Sequence, residues 1–410
     1  MIRISPPSFS VKTKIELPGS KSISNRLLMI RAISGLNIHF KNLSDSEDTV
    51  LLAKALGEVK GKKSATLNIH HAGTDMRFLT AYLATKEGEW TLTGSERMKQ
   101  RPIKELVQAL QNIGADISYA EKEGFPPLKI KGKKLKGGVV EIDGSISSQF
   151  ISALVLISPA FENGLELSLK GEIVSVPYIS MTIELLKQFG VFVSFSGNKI
   201  ITKPSDFTLL NINFFIESDW SAASYWYSIA ALAQEADIEL LYLNRNSLQA
   251  DCVLPDLYAK LGVKTEYTDK GIHLTKKAVS ETEFKYDFTN CPDIAQTLAV
   301  TCLGLCIPAE LKGLKTLKIK ETDRISALKT ELEKSGAEVS VTNDSLRIIP
   351  PATLPTTNHE LQTYNDHRMA MSFAPLCIKN PKMQIEHPEV VEKSYPAFWD
   401  DLEEAGFSLD

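Results

Sequence analysis

Lysine and arginine recur in this sequence beside small polar residues, at places where a turn hands over to a helix. The first is Leu17-Pro-Gly-Ser20-Lys21-Ser22-Ile-Ser24-Asn25-Arg26, a turn with capping serines that leads into the apolar stretch Leu27–Ile33. The first helical turn offers backbone N–H groups with no intrahelical acceptor, so such a start binds anions, and Lys21 and Arg26 add full positive charge. The competing reading is a capped helix with two solvated cations. His71-Ala-Gly73-Thr74-Asp75-Met-Arg77-Phe78 is a second turn entering a helix, where glycine lets a ligand approach the backbone. In Glu96-Arg97-Met98-Lys99-Gln100-Arg101-Pro102 the proline suits a first helical turn and sets Arg101 at a helix start. Asp143-Gly144-Ser145-Ile146-Ser147-Ser148-Gln149-Phe150 supplies hydroxyls and an amide, which bind phosphate oxygens without adding charge. A capped helix start explains these last two clusters equally well.

The second half repeats the theme in Lys318-Ile-Lys320-Glu321-Thr-Asp323-Arg324, in Tyr364-Asn-Asp366-His367-Arg368-Met369 and at Lys393. Taken alone, Asp293 in Asn290-Cys-Pro-Asp293 reads as a helix cap, and Glu321 as an ion-pair partner for Arg324 three residues on. The whole chain carries a net charge of −4. Cations repeated beside turns in a net acidic protein imply a cleft of focused positive potential rather than a nucleic-acid or membrane surface. Its ligands are small polyanions, and arginine suits planar carboxylate and phosphate groups. No Gly-x-x-x-x-Gly-Lys-[Ser/Thr] loop or dinucleotide fingerprint is present, which argues against nucleotides. The five cysteines, Cys252, Cys291, Cys302, Cys306 and Cys377, form no Cys-x-x-Cys pair and lie on apolar stretches. They read as buried free thiols of a cytoplasmic protein, with no metal site. The start lacks a signal-peptide pattern and no apolar run approaches membrane-spanning length, so a soluble chain is expected.

These clusters need a scaffold, and the sequence carries a repeat that supplies one. An amphipathic helix ending in glycine and followed by a strand-like alternation recurs at Gly114, Gly190, Gly262 and Gly336, with weaker copies at Gly57 and Gly406. From Gly114 onward the intervals are 76, 72, 74 and 70 residues. Leu110, Leu186, Tyr258 and Leu332 stand four residues before the four clear glycines, on one helix face. Glycine ends helices because it enters the left-handed region without a Cβ clash. The reading is six copies of one α/β unit, the last cut off after its helix, divided into two three-unit domains. Ile216-Glu-Ser-Asp219 is the candidate passage between domains.

Together the motifs resemble the enolpyruvyl transferases, and within that family the branch that acts on shikimate 3-phosphate. The resemblance runs through nearly the whole chain in Leu-Pro-Gly-Ser-Lys-Ser, Ala-Gly-Thr, Arg-Met-Lys-Gln-Arg-Pro-Ile, Gly-Ser-Ile-Ser-Ser-Gln-Phe, Val-Pro-Tyr, Pro-Asp, Lys-Glu-Thr-Asp-Arg and Asn-Asp-His-Arg-Met-Ala-Met. It implies two inside-out α/β barrel-like domains, each of three repeated units, with the active site in the interdomain cleft. The expected division is 1–18 with 219–410 for one domain and 19–218 for the other. It implies transfer of the enolpyruvyl group of phosphoenolpyruvate to the 5-hydroxyl of shikimate 3-phosphate, by a monomer without cofactor. Shikimate 3-phosphate is expected on Lys21, Ser22, Arg26, Ser147, Ser148, Gln149, Ser175, Tyr178, Asp293, Thr316 and Lys320. Phosphoenolpyruvate is expected on Lys21, Gly73, Arg101, Gln149, Arg324, Arg368 and Lys393. The chemistry is expected at Asp293, Lys320, Glu321 and His367, with Asp293 made basic by burial and Glu321 exchanging a proton at C3.

Some positions depart from the family's commonest pattern. His71 stands for Asn, Asp75 for a small residue, Phe78 for Pro and Thr316 for Asn. An extra carboxylate at Asp75 is expected to weaken anion binding unless Arg77 or another cation pairs with it. The sister branch acting on UDP-N-acetylglucosamine carries a reactive cysteine in the region of Arg97–Ile103, where this chain has none. A non-catalytic binder of phosphorylated metabolites is a further alternative, opposed by the presence of Asp293, Glu321 and His367.

Overall fold

Residues 1–7, 10–205, 207 and 213–410 are described by the computed structural model. They fall into two compact units, one of Met1–Ser20 with Glu217–Asp410 and the other Lys21–Ile216. Gly19, Ser20, Glu217 and Ser218 thus join the first unit, two residues from the division read in the sequence. Gly19 bridges Ser218 and the Ser20 amide donates to the Glu217 carbonyl, so the two strands of the passage are tied to each other.

Among the described residues are α1 (Lys21–Ser34), α2 (Glu47–Val59), α3 (Gly73–Thr85), α4 (Lys104–Asn112), α5 (Ser148–Ile157) and α6 (Val176–Gln188) in the second unit. The first unit holds α7 (Trp220–Leu232), α8 (Leu254–Lys260), α9 (Ala295–Gly304), α10 (Arg324–Lys334), α11 (His367–Phe373) and α12 (Phe398–Glu404). None is long and apolar enough to cross a membrane.

A βαβ-type repeat organises both units. In the second, Ser64–Asn68 pairs in parallel with Gly88–Thr93 across α3, and after α4 a hairpin of Asp116–Tyr119 and Leu128–Gly132 adds to the same sheet. The same order recurs around α5 and α6, around α7 and α8, and around α9 and α10. Parallel neighbours need a crossover, which the first helix of each repeat supplies. That helix is apolar on nearly every side: α9 is buried along its whole length, and so is α7 apart from Ser221. A helix hydrophobic all round belongs in a core, and α7 packs on α9 as α3 packs on α5. The second helix of each repeat is amphipathic and ends at a left-handed glycine: Gly114 (φ 94°), Gly190 (78°), Gly262 (85°), Gly336 (85°) and Gly406 (91°).

Two expectations need correction. Gly57 does not end a helix: α2 runs on to Val59, whose side chain is buried, and Gly61 (φ 76°) takes the left-handed turn. The last repeat is not cut off after its helix either. Ser408–Leu409 follows α12, and the N-terminal strand Ile2–Ser5 enters between it and Met383–Ile385 to complete a four-stranded sheet with His359–Leu361.

Candidate active site

The second unit gathers its candidate residues at the starts of its buried helices. α1 begins at Lys21 rather than at Leu27, so Lys21 and Arg26 belong to the helix itself. The Lys21 Nζ lies 3.1 Å from Asp48 at the start of α2. Arg26 is 3% exposed, and its guanidinium donates to Thr182 Oγ1 (2.7 Å), the Ser22 carbonyl (2.8 Å), the Tyr178 carbonyl (3.1 Å) and Ser152 Oγ (3.4 Å). It thereby joins α1 to α5 and α6. Burial pulls its pKa down to about 10, which leaves it protonated at neutral pH. Ser147 caps α5, accepting from the Gln149 amide at 3.3 Å, and the Gln149 side chain donates to Thr74 Oγ1 on α3 at 3.1 Å. Ser148 is buried behind them. Ser175, at the cap of α6, holds a left-handed φ of 54°, a conformation a non-glycine residue adopts only where its surroundings enforce it. Arg101 packs against Gly73: a Cβ there would lie 2.3 Å from Arg101 Nη1. Pro102 stands outside the next helix, which starts at Lys104.

Asp75 is fully buried and accepts from Asn25 Nδ2 at 3.0 Å, while Asn25 Oδ1 accepts from Thr49 at 2.7 Å. This carboxylate is built into the packing of α1, α2 and α3. Arg77 donates to the carbonyls of Gly73 (3.1 Å) and Pro102 (2.9 Å), and His71 Nδ1 sits 2.8 Å from Ser95 Oγ. Phe78 is buried with the Arg26 guanidinium 5.6 Å from its ring centre.

In the first unit a cluster of cations closes around carboxylates. Asp293 stands on the short 3-10 turn Pro292–Ile294 ahead of α9. Its carboxylate lies 3.4 Å from Lys320 Nζ, 3.3 Å from Arg324 Nη1 and 3.3 Å from Arg368 Nη2. Glu321 bridges Arg324 (2.9 Å) and Lys393 (2.8 Å), so the ion pair read in the sequence is present and is shared with a second cation. Thr316, on the turn Lys315–Ile319, has a buried Oγ1 without a hydrogen-bond partner among the described residues. His367 opens α11 and is 2% exposed, with Nδ1 3.7 Å from Asp366.

The electrostatics reverse one expectation. Burial pushes the Asp293 carboxyl up, but Arg368, Lys320 and Arg324 overcome it and hold the group well below the usual carboxylate range. Burial by itself therefore does not make this aspartate basic. Lys320 is lowered, chiefly by burial and against the pull of Asp293. Arg324 is raised despite burial, because Asp366, Glu321 and Asp293 surround it.

Asp366, which the sequence showed only as one member of a charged motif, is the buried counter-charge of Arg324. Its fully buried carboxylate takes two bonds from Arg324, at 2.7 and 3.2 Å, and caps α11 by accepting from the Arg368 amide at 2.9 Å. The signal was an aspartate directly ahead of a helix start in Asn365-Asp366-His367. Tyr364 and Asn365 before it both hold a left-handed φ of 54°. The Tyr364 hydroxyl is anchored to Glu331 at 2.8 Å.

Comparison with known proteins shows the family to which the chain belongs. The profile of the EPSP synthase (3-phosphoshikimate 1-carboxyvinyltransferase) family matches residues 7–402. A 3-phosphoshikimate 1-carboxyvinyltransferase of Bacteroides fragilis is 49% identical over 412 aligned positions, covering 99% of this chain and 98% of the relative. One from Haemophilus influenzae is 38% identical, with 97% of each chain covered. The solved EPSP synthase of Acinetobacter baumannii shares the fold, with a TM-score of 0.79 at 23% identity over 100% of this chain and 99% of that one. The enolpyruvyl transferase NikO of Streptomyces tendae does so at 0.76 and 14%, over 100% and 98% of the two chains. The chain belongs to the EPSP synthase family of 3-phosphoshikimate 1-carboxyvinyltransferases.

Proposed function

We infer that the protein transfers the enolpyruvyl group of phosphoenolpyruvate to shikimate 3-phosphate, and that the Asp293 cluster carries the chemistry. The 5-hydroxyl oxygen adds to C2 of phosphoenolpyruvate while C3 gains a proton. The tetrahedral intermediate then loses phosphate and a C3 proton, which leaves the enol ether. Family membership supports the reaction. The observation that supports the site is one carboxylate held by Lys320, Arg324 and Arg368 within 3.4 Å.

That arrangement suits a base that is switched on by its substrates. Two polyanions can approach each other only where fixed cations offset their repulsion. Each cation facing Asp293 at close range is worth roughly 4 kcal/mol at an effective dielectric constant near 20, or about three pK units. Substrate oxygens that draw these cations away together raise Asp293 out of that depressed range, so that it can accept the hydroxyl proton. Glu321, between Arg324 and Lys393, serves the proton exchange at C3, and Lys320 and His367 complete the polar surround. In the second unit, Lys21, Ser22, Arg26, Ser147, Ser148, Gln149, Ser175 and Tyr178 receive shikimate 3-phosphate together with Asp293, Thr316 and Lys320. Phosphoenolpyruvate takes Lys21, Gly73, Arg101, Gln149, Arg324, Arg368 and Lys393. By the same inference each unit is an inside-out assembly of three βαβ-type repeats.

The experiment is to incubate the protein with both substrates, measure phosphate and identify the product by mass. Phosphate and enol ether must form in equal amounts and only with both substrates present. Phosphate released from phosphoenolpyruvate alone rejects the reading.

A further inference from the structure

We propose that Asp251 positions Arg368 for its anionic ligand, acting through the hydroxyl of Ser221. The inference rests on the reading of Arg368 as a phosphoenolpyruvate ligand. Arg368 is held from two sides. On one, Nη1 donates to the Asp293 carbonyl at 3.1 Å and Nη2 faces the Asp293 carboxylate at 3.3 Å. On the other, Nη2 donates to Ser221 Oγ at 3.4 Å, and Nη1 reaches the Tyr225 hydroxyl at 3.5 Å. Ser221 has a single hydroxyl proton, and it goes to Asp251 Oδ2 in a short hydrogen bond. With that proton committed, the lone pairs of Ser221 Oγ are left for Arg368. Without Asp251 the hydroxyl is free to rotate, and the guanidinium loses its fixed second support.

The surroundings make Asp251 a rigid anchor. It is 3% exposed, on the short 3-10 turn Ala250–Val253. Gln249 clamps that turn to the start of α7: its Oε1 accepts from the Trp220 amide at 3.0 Å, and its Nε2 donates to the Ser218 carbonyl at 2.8 Å. The titratable groups facing Asp251 are Asp293, Arg368, Asp219, Cys252 and Cys291. Burial first, and Asp293 next, push its carboxyl up to about 7 against Ser221 and Arg368. A carboxyl so placed is a net burden on stability. Its place beside Ser221 is accounted for by what it does to Arg368.

The test compares KM for each substrate, kcat and thermal unfolding among the wild type and the Asp251→Ala, Asp251→Asn, Ser221→Ala, double-alanine and Arg368→Ala proteins. Asp251→Ala and Ser221→Ala each raise the phosphoenolpyruvate KM about tenfold, with kcat and the shikimate 3-phosphate KM within about twofold. Because the two residues act in series, the double variant is no worse than the worse single. Asp251→Asn, which still accepts from Ser221, recovers most of the loss. Should Asp251→Ala fail to fold, Ser221→Ala carries the same prediction. Multiplying effects, or a fall in kcat with both KM values unchanged, overturns the positioning role. An Arg368→Ala protein with a raised phosphoenolpyruvate KM, beside Asp251→Ala and Ser221→Ala proteins without one, overturns this inference alone. An unchanged KM in Arg368→Ala, or a wild type that forms no product, overturns the underlying reading and this inference with it.

Discussion

Replacing Gly73 with alanine separates ligand binding from stability. A Cβ at this position falls 2.3 Å from Arg101 Nη1 and 2.7 Å from Cζ, whereas ordinary contact begins near 3.4 Å, so the guanidinium must retreat by about 1.1 Å. Arg101 is 7% exposed, which limits the room it has to move. Losing a charge-assisted hydrogen bond to a bound anion costs about 1.5–3 kcal/mol, or roughly 10–100-fold in affinity. The phosphoenolpyruvate KM of Gly73→Ala is therefore expected to rise by that factor, with the shikimate 3-phosphate KM little changed. Stability changes less, because the cost of displacing the guanidinium is opposed by a backbone gain. Gly73 opens α3 without a left-handed φ, so alanine there gains about 0.4–1 kcal/mol from reduced freedom of the unfolded chain. The assay is steady-state phosphate release with each substrate varied in turn, beside thermal unfolding of the same samples. Arg101→Ala supplies the control, since Gly73→Ala should add little once the guanidinium is gone. An unchanged KM in Gly73→Ala, or full additivity with Arg101→Ala, refutes the argument that the glycine exists to seat this arginine.

Other perturbations have expected outcomes of their own. Asp366→Asn keeps the cap of α11, since asparagine and aspartate cap equally well. It leaves Arg324 short of its buried counter-charge, and urea unfolding should show a loss of about 3–5 kcal/mol in the first unit; a loss below about 1 kcal/mol would mean that Glu321 and Asp293 suffice for Arg324. Glu331, with no exposed side-chain surface, is resisted by burial but lowered from its ordinary 4.5 by His359, Lys334 and Tyr364. Because the folded value is depressed, its stabilisation is present above pH 4.5 and fades as pH falls through the lower folded value. Glu331→Gln should lower stability at neutral pH and flatten that acid limb, and an acid limb parallel to wild type would show that other carboxylates produce it.

The residues show which parts of this protein are legible in sequence. A glycine that ends a helix is a local event, fixed by backbone sterics, so the repeat could be read from Gly114 to Gly406 at nearly even intervals. Gly57 misled because a glycine inside a helix has the same letter, and only the buried Val59 beyond it tells that α2 continues. The entry of Ile2–Ser5 into the last sheet could not be read at all. Pairing Ile2 with Ile385 depends on which edge the fold leaves open, and no local pattern records that. The same holds for electrostatics: the sequence offered Asp293 and suggested burial, but the sign of its shift is decided by Arg368, Lys320 and Arg324 arriving from three other segments. Asp251 carried no signal in its neighbours. It matters only because the turn bearing it folds against Ser221.

In the proposed mechanism Asp293 is a carboxylate that its own cations hold ionised and that the substrates release to act as a base. The most direct measurement is single-turnover phosphate release from saturated Asp293→Asn and wild-type protein. The amide keeps the shape and removes the base, so the rate should fall by about 100–10,000-fold, the usual worth of a general base, while both substrates still bind. A rate within about tenfold of wild type at saturation would show that the proton leaves by another route.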